Sequence, residues 1–82
     1  MKLSDMSLQS SAIVESVLDV HANDVISRRL RELGFVKGEQ IRLVARGPLG
    51  AEPLLVQVGF TRFALRRSEA ARVEVTLLGA SA

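Results

Sequence analysis

Hydrophobic and polar positions along the chain change period several times, and each change predicts an element. Ala12 to Leu18, AIVESVL, sets Ile13, Glu15 and Val17 against Val14, Ser16 and Leu18. This period of two, rich in β-branched residues, predicts a first strand over 12–18. The polar run DVHAND interrupts it, and Asn23 or Asp24 is placed to cap a following helix by accepting a bond from a free backbone N–H. Ile26, Leu30 and Leu33 then recur at i, i+4 and i+7, a single apolar stripe with the arginines largely on the other faces. Gly34 is expected to end this helix in the left-handed region, where the absence of a Cβ removes the clash. Gly38 suits the positive-φ position of a turn.

Alternation resumes in EQIRLVAR, with Ile41, Leu43 and Ala45 on one side, and predicts a second strand. A loop of about Gly47 to Pro53 follows, bounded by two prolines, which donate no ladder hydrogen bond and are not expected inside a central strand. LLVQV and TRFAL read as a third and a fourth strand around a tight Gly59-Phe60 turn. Ser68 is placed to cap one helical turn before a fifth strand carrying Val73, Val75 and Leu77. A mainly β domain follows: a small, partly open antiparallel barrel of about five strands, with one principal α-helix inserted after the first strand.

Eighty-two residues suffice for a single domain over 1–82, and leave no room for a large active-site cleft. The composition, 48% hydrophobic and 24% charged, is that of a globular chain. With no cysteine there is neither a disulfide framework nor a thiolate metal cluster, which favours the cytoplasm. No apolar run reaches the roughly 18 residues of a membrane span, and the first residues lack the apolar segment of a secretory leader. Eleven Lys+Arg against nine Asp+Glu leave a formal charge of +2, weak evidence for a polyanion partner despite a sequence pI near 9.9. The basic residues do cluster, as Arg28, Arg29 and Arg31 on the helix and as Arg62, Arg66 and Arg67 near the fourth strand.

The run RRLRELGFVKGEQIRLVARGPLGAEPLLVQVGFTRFALRRSEAARVEV, from Arg28 to Val75, resembles the FeoA family of ferrous iron transport proteins. The resemblance rests on Leu33-Gly34, on the Lys37-Gly38 turn, on Pro48-Leu49-Gly50 closing with Pro53, and on Ala64-Leu65-Arg66-Arg67 followed by Ser68-Glu69. It implies a stand-alone SH3-like barrel in the cytoplasm. It also implies a function, supporting ferrous iron uptake by docking on the cytoplasmic part of FeoB, a membrane GTP-hydrolysing permease, and modulating it. The hairpin VGFTRF departs from a family habit of a polar or basic residue beside the glycine, so Phe60 is expected to be partly exposed.

Candidate contact residues for such a partner are Pro48, Leu49 and Gly50 in the loop and Arg62, Arg66 and Arg67, whose guanidinium groups suit carboxylates or phosphates. Leu49 has two readings, a plug folded back on the open barrel end or an exposed anchor. Gly34 and Gly38 are structural turn residues. His21, the one histidine, lies between Asp19 and Asp24, an incomplete metal shell that allows weak Zn²⁺ or Fe²⁺ binding if a neighbouring molecule lends a carboxylate such as Glu39 or Glu52. No cofactor is required by this reading, and weak self-association is allowed by it.

Enzyme chemistry is not expected: no nucleophile is paired with a base, and the phosphate loop of nucleotide hydrolases is absent. The alternative is a small-barrel nucleic-acid-binding or regulatory module, suggested by nine arginines. Three phenylalanines without Trp or Tyr make poor material for a stacking platform or a polyproline groove, so nucleic acid is not the expected partner.

Overall fold

The five strands and the helix form in the predicted order. A computed structural model describes residues 1–49 and 52–78, with Leu49 described by its backbone. The strands are β1 (Ser11–Val17), β2 (Gln40–Leu49), β3 (Glu52–Val58), β4 (Thr61–Leu65) and β5 (Val73–Leu77). Helix α1 (Val25–Leu33) follows β1, and the single turn α2 (Arg67–Ala70) links β4 to β5. All neighbours pair antiparallel in one sheet ordered β4-β3-β2-β1-β5.

Two strands depart from strict alternation, for the same reason. In β1 the register slips between Val14 and Ser16, so that Val14 faces Val75 while Val17 faces Val73. An extra residue in a bulge lets the strand change faces, and Val17 joins Ala12 and Val14 in the core instead of Ile13 and Glu15. A second shift between Leu43 and Ala45 takes Ala45 off the buried face of Ile41 and Leu43. β3 keeps its period, with Leu54, Val56 and Val58 buried.

The loop expected between β2 and β3 is shorter than Gly47 to Pro53, because the ladder runs on to a Leu49–Glu52 pair. Pro48 and Pro53 therefore lie within strand bounds, contrary to expectation. They are accommodated inside another register shift, between the Arg46–Leu54 and Leu49–Glu52 pairs, where neither proline has a partner in the ladder. The Glu52–Pro53 peptide is cis. Gly47 permits the close approach here: a Cβ on it would stand 1.8 Å from the Glu52 carbonyl oxygen. Gly50 lies outside the described residues, as does the question of whether the Leu49 side chain plugs or protrudes.

Helix α1 begins at Asp24 and ends in a Schellman motif. Gly34 takes φ 118°, its N–H donates to the Arg31 carbonyl at 3.2 Å, and the Phe35 N–H donates to Leu30 at 3.1 Å. The two apolar residues joined by this motif, Leu30 and Phe35, are both core residues. Gly38 is also at positive φ, 92°. The core extends further than the strand pattern indicated, since Leu3 and Met6, around a 3₁₀ turn at Leu3–Asp5, are fully buried. At α2 the cap is Arg66, not Ser68: the Glu69 carboxylate turns back to accept the Arg66 N–H at 2.7 Å.

Gly34→Val is expected to lower stability by about 1–2 kcal/mol, because a β-branched residue is strained at this φ. A Cβ at this position would stand 3.5 Å from Val58 Cγ1, an ordinary contact, so the loss reads backbone strain. The check is the urea midpoint, and an unchanged midpoint would show that the turn relaxes at no cost.

Candidate functional site: a buried ion pair and a basic edge

Asp24 is where the local sequence and the tertiary fold meet. As the N-cap of α1 it accepts the Ile26 and Ser27 amides on Oδ1 at 3.1 and 3.3 Å. Oδ2 accepts the Val20 amide at 2.9 Å and the Nε–H of Arg72 at 2.9 Å. The single Ser27 hydroxyl proton sits between Oδ2, at 3.0 Å, and the Leu18 carbonyl, at 2.7 Å. Both partners of the ion pair are buried, Asp24 at 4% and Arg72 at 6% exposure.

Arg72 makes further bonds in turn. Its Nη1–H donates to the Ser68 carbonyl at 2.8 Å, and its own carbonyl accepts the Leu18 N–H at 2.8 Å. The β1–α1 turn is thereby clamped to the α2–β5 turn. The Arg72 guanidinium foremost, then the Val20 amide, hold the Asp24 carboxyl well below the usual carboxylate range, outweighing burial, with Ser27 adding to the effect.

This engagement decides how the candidate metal residues lie. Asp24 has its oxygens committed internally, and Asp19 accepts the Arg31 Nη2–H at 2.9 Å, the same group that donates to the Val17 carbonyl at 2.8 Å. His21 is exposed, with Nδ1 3.1 Å from the Ala22 carbonyl and Nε2 4.0 Å from Asp24 Oδ1. Among the described residues no three His, Cys, Asp or Glu side chains are gathered as a metal shell. Glu52, a carboxylate that a neighbour was to lend, accepts the Arg67 N–H at 2.7 Å.

The two arginine groups divide. On α1, Arg31 is tied to Asp19, and Arg28 donates to the Asn23 amide oxygen at 3.1 Å. Arg29 stands on the exposed face without an ion-pair partner among the described residues. Arg62, Arg66 and Arg67 are exposed and equally unpaired, Arg62 making only a 3.4 Å bond to the Gln57 side chain. Pro48 is exposed. Phe60 is fully exposed at the β3–β4 hairpin tip, whereas Phe35 is buried and tilts against the half-buried Phe63 at 6.0 Å between ring centres. Aromatic side chains thus do not line up on the surface as a stacking platform.

A five-stranded antiparallel sheet with one helix after its first strand, presenting a basic edge, defines a small SH3-like domain. The FeoA domain model matches residues 1–77, and the chain belongs to the FeoA family. It is 72% identical to the solved FeoA of Stenotrophomonas maltophilia, a structure complexed with zinc, over 93% of this chain and 89% of that one, with a TM-score of 0.87. The FeoA protein of Chlorobium tepidum is 32% identical, with 100% of this chain and 74% of that one covered and a TM-score of 0.85. The Porphyromonas gingivalis fusion of Fe(2+) transport protein A with the Fe(2+) transporter FeoB is 32% identical over all of this chain, which spans only 9% of that protein.

The depressed Asp24 pKa sets a pH dependence. Its contribution to stability is complete above the ordinary carboxylate pKa of about 4 and is lost as pH falls through the lower folded value. Asp24→Asn is expected to be less stable than wild type at neutral pH and to show a flatter loss of stability below about pH 4. Urea midpoints between about pH 2 and 7 check this; parallel curves would remove Asp24 from the acid response.

Proposed function

We propose that this chain is a non-catalytic cytoplasmic accessory of ferrous iron uptake that docks on the cytoplasmic part of a FeoB-like permease and modulates it. The observation that carries the reading is the P. gingivalis fusion, in which a segment alignable with the whole chain is continuous with a ferrous iron transporter. Fusion holds two modules at high effective concentration, which is useful when the modules act on one another. The surface is suited to such a role: Arg62, Arg66 and Arg67 project cationic groups without ion-pair partners among the described residues, and planar guanidinium groups pair bidentately with carboxylates.

Modulation requires a preference for one state of the permease. A domain that binds two conformations equally shifts neither, so the docked chain acts through differential affinity. The Pro48–Leu49–Gly50 segment is the second proposed contact, and it adjoins Glu52, whose carboxylate ties this end of the hairpin to the Arg67 N–H.

Replacing Arg62, Arg66 and Arg67 together by Glu is expected to weaken binding to the permease's cytoplasmic region at least about tenfold at low salt, mostly through a slower association rate. Stability should change by less than about 0.5 kcal/mol per site, as for exposed positions. Leu49→Asp is expected to weaken the same binding. Calorimetry and denaturant unfolding on the same samples check both, and unchanged affinity in both variants contradicts the proposed surface.

A further inference from the structure

The sheet has two outer strands, and their edges are treated differently. Along β5 the N-terminal segment closes in: Lys2 forms a bridge with Glu74, and the Val75 N–H donates to the Met1 carbonyl at 2.8 Å. Among the described residues nothing comparable meets β4, which pairs only with β3. The hairpin joining them closes through Gly59 at φ 60° with Val58 opposite Thr61, a two-residue turn whose flanking residues form a hydrogen-bonded pair. Hydrogen-bonded and non-hydrogen-bonded pairs alternate from there. Phe63 and Leu65 therefore bond to β3, while Arg62 and Ala64 turn their N–H and C=O groups outward.

A cleft of about 290 Å³ lies along this edge. Three consecutive strand residues, Phe63, Ala64 and Leu65, line it. Successive side chains of a strand point to opposite faces, so a cleft touching three in a row runs against the strand's edge. Its far wall is the apolar stripe of α1. Ile26 and Leu33 there, with Phe63 opposite, are the half-buried apolar side chains that lean on the core, and all three open into the cleft. The volume is at the small end for ligand clefts, enough for one large side chain and its backbone.

Charge selects the occupant. Arg29 lines the cleft, and Arg62 and Arg66 flank Ala64 at two residues on either side. None of these three is in an ion pair among the described residues, and set against the one carboxylate in the lining, Glu69, they leave the surroundings of the cleft net positive. A second copy pairing antiparallel about Ala64 would set Arg62 directly opposite Arg66, a like-charge pair that opposes self-pairing.

We propose that the cleft between α1 and the free edge of β4 receives an extended acidic segment of a partner protein. That segment hydrogen-bonds the outward backbone groups of Ala64 and inserts one apolar side chain between Ile26, Leu33 and Phe63. Main-chain pairing provides affinity, and the pocket and flanking arginines provide specificity. The proposal rests on the docking reading above and names the surface it uses.

The test is NMR of the full ¹⁵N-labelled chain with two probes. One is the cytoplasmic region of the permease; the other is the blocked peptide Asp-Glu-Val-Leu-Val-Glu-Asp, with its Lys-substituted counterpart as control. The expected result is slowed exchange of the Ala64 amide with shifts at Ile26, Leu33 and Phe63, for the permease region and the acidic peptide but not the basic one. Ala64→Pro removes the outward donor without removing a bond to β3, and should weaken binding at least tenfold. Arg29→Glu, on the exposed helix face, should do the same and serves if Ala64→Pro does not fold. Permease binding that leaves Ala64 freely exchanging and both variants unaffected overturns the cleft but not the docking. Protection by the acidic peptide alone keeps the cleft and refutes the permease as partner. Binding of neither probe, equal binding of the basic peptide, or Ala64 protection that rises with the concentration of the chain alone overturns the proposal.

Discussion

The ion pair between Asp24 and Arg72 joins turns that lie 48 residues apart. Burying two charges is costly unless their remaining hydrogen-bonding capacity is met, and here it is met from all sides: three backbone amides and a hydroxyl on the carboxylate, a carbonyl on the guanidinium. The geometry does several tasks at once. Asp24 starts α1, Arg72 holds α2 through Ser68, and the Arg72 carbonyl receives the end of β1 through Leu18. The walls of the cleft are α1 and the β4–α2 edge, and the pair ties the start of α1 to the end of α2.

Placement of charge elsewhere follows from what the fold consumes. Asp19 and Arg31 neutralise one another beside β1, and Arg42 and Arg46 reach the Gln9 side chain and the Met6 carbonyl in the N-terminal segment. The arginines without such duties collect along one edge, together with Arg29. A near-balanced chain thus presents a cationic edge that net charge conceals. That edge is also the one that, among the described residues, is left open to pairing, and arginines beside an open edge discourage pairing between copies.

The strands and the helix were legible in the sequence because their signals are local. Period two, the apolar stripe of α1, and glycines at Gly34 and Gly38 each constrain the chain within a few residues. Departures arose where the deciding contact is distant. Bulges moved Val17 inward and Ala45 aside, and no pattern in AIVESVL or IRLVAR marks them. Leu3 and Met6 lie in a segment without periodicity, yet both are fully buried. The role of Arg66 as cap depends on Glu69 folding back, where Ser68 carried the stronger local preference. Asp24 was visible as a cap and as a candidate ligand. Its partner Arg72 was not, since one arginine in SEAARVEV looks like any other surface arginine. The cleft was half visible, as an apolar helix face and as a cluster of arginines, but their juxtaposition is a property of the closed sheet.

A double-mutant cycle on the buried pair tests most directly whether it is the constraint on which the fold and its surface depend. Stability at neutral pH would be measured for wild type, Asp24→Asn, Arg72→Met and the double variant. If each residue matters chiefly through the other, the single variants are both strongly destabilised, each leaving a buried group without its partner, and the double variant is little worse than the more damaging single one. Additive losses would contradict the account, showing that Asp24 acts only as a helix cap and Arg72 only as packing.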